Sequence, residues 1–157
     1  MLRRFLCVIS VAALLFSLSA CTDINVPFEL EKFTAQVTIK STAAKIKGEL
    51  TYNSPEDITF KVRSPENISG MEFRSVSQSM SVSVGEVSFT ANGAKDSPVY
   101  MLFTLLDNIA QSDISIPLSG EKEISLECEG KPYRVKTDCE AKKILSIETE
   151  KYNYIFE

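Results

Sequence analysis

Apolar and polar residues alternate along most of the chain after residue 32. In the segment FTAQVTIK, every second residue from Phe33 to Ile39 is apolar, and the segments AKIKGELTY and DITFKVR follow the same rule. Period-two alternation is typical of a β-strand with one buried and one solvated face. Turn residues at 53–55 and 64–67, including Pro55 and Pro65, separate the segments. The pattern therefore predicts an antiparallel meander.

The alternation changes phase in the segment MEFRSVSQSMSVSVGEVSFT. Met71 and Phe73 share one parity, whereas the apolar positions from Val76 to Val84 are even. Because a shift of one residue turns a strand inside out, the segment predicts either a hairpin turn or a bulge near 77–79.

The segment SPVYMLFTLLDNIA departs from the alternation. Ser97 is a suitable N-cap, Pro98 suits the first helical position, and the apolar residues that follow lie on nearly every side of a helix. We expect this helix to be covered by the concave face of the sheet, because it is too apolar to be exposed and too short to span a bilayer.

Five more alternating segments complete the chain: DISIPLSG, EISLECEG, KPYRVKTD, KKILSIET and EKYNYIFE. The sequence predicts a mainly β (α+β) fold, a curved antiparallel sheet or half-open β-barrel of about nine to ten strands around one apolar helix.

Residues 1–20 have the order of a secretory signal peptide. Arg3 and Arg4 precede an apolar segment at 5–18, and the segment ends on the small residues Ser19 and Ala20. The apolar run is shorter than the ~20 residues that a membrane-spanning helix needs. We expect 1–20 to be cleaved, 21–31 to be a tether, and 32–157 to be one folded domain.

The residues Leu18, Ser19, Ala20 and Cys21 resemble the lipobox of bacterial lipoproteins. The resemblance implies that Cys21 carries a diacylglyceryl group and can carry an N-acyl group as well. It also implies a lipid-anchored protein at the extracytoplasmic face of the cell membrane, or of the outer membrane where the host has one. The alternative is a plain secreted protein with an incidental cysteine.

Composition excludes several function classes. The chain has no histidine, so Ser-His and Cys-His nucleophiles are excluded, and we expect neither catalytic residues, nor a metal, nor a further cofactor. The net charge of −4 becomes more negative when Arg3 and Arg4 are removed with the signal peptide. An acidic chain without a basic block argues against nucleic acid as a partner.

Cys128 and Cys139 are the other cysteines that cleavage would leave. Export favours a disulfide between them. If Gly130 and Lys131 turn a hairpin, however, the two thiols lie at opposite ends of one strand, more than ~20 Å apart, and a disulfide allows only ~7 Å between α-carbons. We therefore predict free thiols, with a disulfide as the alternative if the turn lies elsewhere.

The order of strands, the buried helix, the turn SPENISG and the closing CEGKPYRVKTD with KILSIE resemble the half-barrels of the lipoprotein-localisation-factor superfamily. That superfamily includes the LolA and LolB type carriers and the mycobacterial LppX and LprG type lipoproteins. The resemblance implies an apolar cavity that can hold acyl chains.

Apolar residues of the concave face and the helix are the candidates for lining such a cavity, and ordinary core packing is the alternative for each. They are Val37, Ile46, Leu50, Phe60, Phe73, Met101, Phe103 and Leu106.

Three functions follow from these predictions. The first is a membrane-anchored, non-enzymatic protein that binds a lipid or acyl chain. The second is an envelope interaction or structural module with a solid core, which contacts another exported protein through its strands. The third, an enzyme, is disfavoured because the chain lacks both histidine and a GxSxG or SxxK motif.

Overall fold

The computed structural model of the protein describes residues 24–76, 79–91 and 96–157. Within these ranges the chain forms strands and one α-helix, with a short 3-10 helix at Glu66–Ile68. The elements are β1 (Asn25–Pro27), β2 (Phe33–Lys40), β3 (Lys45–Ser54), β4 (Asp57–Ser64), β5 (Glu72–Val76), β6 (Ser79–Val84), β7 (Val87–Thr90), α1 (Pro98–Gln111), β8 (Ser115–Pro117), β9 (Glu121–Cys128), β10 (Lys131–Asp138), β11 (Lys143–Glu148) and β12 (Asn153–Phe156). The predicted signal peptide and Cys21 lie outside the described residues.

Ten of these strands form one curved antiparallel sheet in the order β7-β6-β5-β4-β3-β2-β12-β11-β10-β9. The sheet consists of two meanders, β2 to β7 and β9 to β12, which join where Thr38 of β2 pairs with Ile155 of β12. Strands β7 and β9 form the two edges, and the described strands do not close into a barrel. The predicted fold, a mainly β half-open barrel with one helix, is confirmed.

Strands β1 and β8 form a separate two-stranded ribbon, in which Asn25 pairs with Pro117 and Pro27 pairs with Ser115. The pairing continues beyond the ribbon, because the Phe28 N–H donates to the Ile114 carbonyl at 2.8 Å. Phe28 is only 4% exposed and belongs to the hydrophobic core. Residues 25–28, assigned to the tether from sequence, are therefore part of the folded domain, and β8 pairs with β1 instead of joining the main sheet.

Helix α1 begins where the sequence predicts. The Ser97 hydroxyl accepts a hydrogen bond from the Tyr100 N–H at 3.1 Å. Pro98 occupies the first turn, where an N–H has no acceptor within the helix, so its missing N–H costs no helical hydrogen bond. Gln111 is the one exposed residue of the helix. The prediction that an all-apolar helix must be covered is confirmed.

Hydrogen bonds from two tyrosines hold the helix against the sheet. The Tyr154 hydroxyl of β12 donates to the Pro98 carbonyl at 3.0 Å, near the start of α1. The Tyr133 hydroxyl of β10 donates to Asn108 Oδ1 at 2.6 Å, near its end. Because both ends are fixed to the second meander, the position of α1 over the sheet is defined by polar contacts as well as by apolar packing.

Gly48 provides the space in which Phe60 packs. It lies buried on β3, and a methyl group at its α-carbon would meet the Phe60 ring and would lie 2.6 Å from the Lys61 carbonyl oxygen. Real side-chain carbons do not approach that closely, so only glycine fits here without displacing Phe60. The close approach lets the Phe60 ring be fully buried beside β3.

The face of the sheet opposite the core is polar and carries ion pairs between neighbouring strands. They include Arg63–Glu49 at 3.2 Å, Arg74–Asp57 at 3.3 Å and Arg134–Glu148 at 2.8 Å. Their side chains are one third to one half exposed, so each pair contributes little to stability. The ion pairs show that the convex face is the face in contact with solvent.

The phase change in the sequence corresponds to a hairpin. Strands β5 and β6 are antiparallel, and Val76 pairs with Ser79, so the chain reverses between them. Residues 77 and 78 themselves lie outside the described residues. After the reversal Met80 and Val82 face the core, each 5% exposed, whereas Val76 lies on the convex face.

Cys128 and Cys139 form no disulfide in the described structure, and they lie at opposite ends of one strand, as the predicted hairpin turn requires. Cys128 ends β9 and pairs with Lys131 across the β9–β10 turn. Cys139 follows the far end of β10, where its N–H donates to the Gly120 carbonyl at 2.8 Å. The length of β10 therefore separates the two thiols.

Candidate hydrophobic ligand site

A row of apolar side chains crosses the concave face from β3 to β7. Leu50 pairs with Phe60, Phe60 with Phe73, Phe73 with Val82, and Val82 with Phe89. Residues directly opposite each other in antiparallel strands project from the same face. The five side chains therefore share the face on which α1 lies.

The two ends of this row differ in burial. Leu50 and Phe60 are fully buried and belong to the same cluster as the helix residues Leu102 and Leu106. At the other end, Phe89 is 52% exposed. The helix thus covers one end of the concave face and leaves the other uncovered.

Three exposed residues form this uncovered end, which we call the apolar shelf: Val84, Val87 and Phe89, with exposures of 46%, 64% and 52%. Val84 pairs with Val87, and Phe89 pairs with the buried Val82, so the shelf adjoins the buried part of the concave face. Exposed apolar side chains that adjoin one another can mark a binding site, so the shelf is the candidate site on this face. The shelf can receive an apolar group without any rearrangement of the core.

The two edges of the sheet differ in charge. The edge strand β7 has the sequence VSFT, and all four residues are exposed. The opposite edge, β9, has the sequence EKEISLEC and carries Glu121, Lys122, Glu123 and Glu127. Charged side chains protect an edge strand from pairing with another chain. Strand β7 lacks that protection.

A second concave feature lies beside the ribbon, at the end of the β3–β4 hairpin. Two adjoining pockets of about 540 Å³ and about 360 Å³ share Leu30, Tyr52 and Pro55 as lining residues. We call them together the mouth groove. The groove is open to solvent and mixes apolar side chains, such as Phe28, with charged ones, such as Asp113.

Tyr52 adds no charge to the mouth groove. Its ring stacks on Phe33 with centroids 5.5 Å apart. Burial, and then the negative charge of Asp107, raise the pKa of Tyr52 above its usual value. The phenol is therefore neutral at physiological pH and contributes an amphipathic wall.

The structure brings all eight predicted cavity residues together in or against one core cluster. Val37, Leu50, Phe60, Phe103 and Leu106 are buried, and Ile46, Phe73 and Met101 are partly buried. The lining of the mouth groove includes none of the eight. Their role as ligand contacts stays a prediction, with Phe73 nearest to the shelf through its pairing with Val82.

Sequence reasoning missed the shelf. Val82 and Val84 belong to the even apolar frame that follows the predicted hairpin, so the pattern contained the signal that these two residues share a face; Phe89 lies on the next strand, in the opposite parity. The pattern does not show which strands α1 packs on. In the structure the residues of β7 stay exposed, so the helix does not cover them.

The described residues hold no group of three or more Cys, Asp and Glu side chains that could bind a metal. The Cys128 thiol is not activated either, because burial, and then the charges of Glu129 and Asp107, raise its pKa. A raised pKa keeps the thiol protonated and weakens it as a nucleophile.

Helix α1 does not meet the length and hydropathy that a membrane span requires, and the same holds for every helix in the described ranges.

Together the fold and the site define a half-open antiparallel β-barrel with one helix and an uncovered apolar end. No protein-family model matches the chain, and no curated protein matches it. Among solved structures, the fold is similar to the crystal structure of a LolA superfamily protein from Nitrosomonas europaea, with a TM-score of 0.40 and 8% sequence identity. The match covers 83% of this chain and 86% of that chain.

Proposed function

We propose that the protein is a non-enzymatic, extracytoplasmic lipoprotein, anchored to the membrane through Cys21, whose half-barrel binds a hydrophobic ligand with an acyl chain. The signal-peptide pattern and the residues LSAC support the anchor. The apolar shelf supports the ligand, and it is the single observation on which the binding function depends.

The shelf has the right surface for an acyl chain. Its three side chains are each about half exposed, and full burial of such side chains is worth ~1.5 to 3 kcal/mol apiece, so covering the shelf contributes about 2 to 4 kcal/mol. An acyl chain contributes ~0.8 kcal/mol for each methylene that it removes from water. We therefore expect affinity to increase with acyl-chain length until the chain reaches beyond the apolar row.

Two measurements test the binding function. Residues 22–157 are produced without the anchor, extracted with organic solvent and examined by mass spectrometry for co-purified lipid. The delipidated protein is then titrated with fluorescent fatty acids of increasing chain length. A protein that contains no lipid and binds none of the fatty acids would refute the proposal.

The anchor has its own test. Cys21→Ser removes the sulfur that accepts the diacylglyceryl group, so the variant should lose processing and should not sediment with membrane vesicles after salt washing. A Cys128→Ser variant, whose thiol lies on β9, is the matched control and should remain membrane-bound. Normal processing and sedimentation of Cys21→Ser would exclude lipid anchoring at this position.

The uncharged edge strand β7 favours a second candidate function, an envelope interaction module. An extended segment of another exported protein would add a strand beside β7 and place apolar side chains on the shelf. Cross-linking on intact cells separates the two candidates. A stoichiometric protein partner without extractable lipid would favour this second function.

A further inference from the structure

Two exposed apolar side chains lie together at the end of the β1–β8 ribbon. Ile24 is 63% exposed and Leu118 is 56% exposed. They flank Asn25 and Pro117, which pair in the ribbon, so the antiparallel register places Ile24 and Leu118 opposite each other. The pair points away from the core, since neither residue belongs to the hydrophobic cluster.

The chain leaves the folded domain at this pair, close to the proposed anchor. Cys21 precedes Ile24 by only three residues, which span at most about 11 Å when fully extended. The tether is therefore much shorter than the sequence pattern suggests, because β1 belongs to the fold. An acyl group on Cys21 that lies in the bilayer holds Ile24 at the bilayer surface.

We infer that the β1–β8 ribbon is a membrane contact, with Ile24 and Leu118 inserted at the lipid interface beside the acyl chains of Cys21. This inference rests on the proposed lipidation of Cys21. Two side chains are too few to hold a free protein on a membrane, but the anchor makes the contact intramolecular, with a high effective concentration. Since the chain is acidic, the contact is apolar and does not depend on attraction to anionic lipid.

The contact fixes the side of the domain that faces the bilayer. The mouth groove begins at Pro27 and Phe28, only four residues beyond Ile24, or about 14 Å along an extended chain. The mouth groove therefore lies on the side of the domain that faces the bilayer. A domain on a flexible tether that spanned 21–31 would have no such preferred orientation.

The absence of tryptophan from the chain provides a clean test. Leu118→Trp introduces a single tryptophan at the proposed contact, and Ile24→Trp is a second variant at the same place. The matched control is Ala43→Trp, an exposed position in the β2–β3 turn, at the opposite end of β2 from the segment that leads out of the ribbon. Each full-length protein is expressed, processed, purified from membranes and reconstituted in vesicles of phosphatidylethanolamine and phosphatidylglycerol with brominated acyl chains.

We expect the emission of Leu118→Trp and Ile24→Trp to shift to the blue and to be quenched several-fold more than that of Ala43→Trp, at low and at high salt. Equal quenching at all three positions would overturn the inference. A blue-shifted emission from the same variants made without the anchor, as residues 22–157 in detergent-free buffer, would also overturn it, because another protein surface would then cover the pair.

Mass spectrometry of the same samples separates this inference from the proposed function. Cys21 without lipid contradicts both. Cys21 with lipid, combined with no selective quenching at 24 and 118, contradicts only the membrane contact.

Discussion

Replacement of Phe89 by serine should weaken acyl-chain binding without unfolding the protein. A phenylalanine side chain buries ~150 to 250 Å² when it is fully covered. Phe89 is 52% exposed, so about 100 Å² is left for a ligand to cover, which is worth about 2.5 kcal/mol at ~25 cal/mol per Å². Serine retains a small part of this contact, so we expect a loss of about 2 kcal/mol, or roughly 30-fold in Kd.

Titration of the anchor-free protein with a fluorescent fatty acid measures this loss directly. Val76→Ser is the matched control, because Val76 is 44% exposed on the nearby strand β5 but lies on the convex face. The control should bind as tightly as the parent protein, and thermal unfolding should show that both variants are folded. If Phe89→Ser binds as tightly as the parent, or if Val76→Ser is weakened equally, the shelf is not the ligand site.

Three further predictions concern the fold. Gly48→Ala should lower the free energy of unfolding in urea by about 2 to 3 kcal/mol, because the added methyl group displaces the Phe60 ring; an unchanged midpoint would contradict the close packing between them. Ser97→Ala should cost about 1 kcal/mol through the lost N-cap, whereas Ser97→Thr should keep most of it; equal losses would show that the cap is unimportant. Burial raises the pKa of Tyr133 and of Tyr154 above the usual value of 10, because the folded state favours the neutral phenol. The contribution of this preference to the free energy of unfolding is complete below pH 10 and is lost as the pH rises through the folded-state pKa. Urea unfolding at stepwise pH should show this decrease, and Tyr154→Phe should reduce it; a pH-independent free energy of unfolding above pH 10 would refute the assignment.

The regular parts of the fold could be predicted because their signals are local. In β2, β3 and β4 the alternation of side chains directly reflects one buried and one solvated face. The start of α1 follows from Ser97 and Pro98, whose side chains stabilise a helix end by contacts within one turn. The separation of Cys128 from Cys139 follows from one hairpin turn and the length of a strand.

The rest depends on contacts between distant parts of the chain. Strand β1 has three residues and includes Pro27, so it has no periodicity of its own, and it exists because β8 lies opposite it. The candidate site was predictable only in part for the same reason. The pattern identified Leu50, Phe60 and Phe73 as residues of one apolar face, but which part of that face α1 covers is a property of the packed molecule.

The pairing of β2 with β12 places the last strand of the chain in the middle of the sheet. Each meander can form from neighbouring hairpins, yet the two halves become continuous only when Thr38 meets Ile155 across nearly the whole described chain. Closure of such a long loop is slow compared with hairpin formation, so the pairing of β2 with β12 should be a late event in folding. A chain cut before Asn153 would keep most of its local hairpins and lose the strand that unites them. The continuity of the ten-stranded sheet therefore depends on β12, the strand that joins the two meanders.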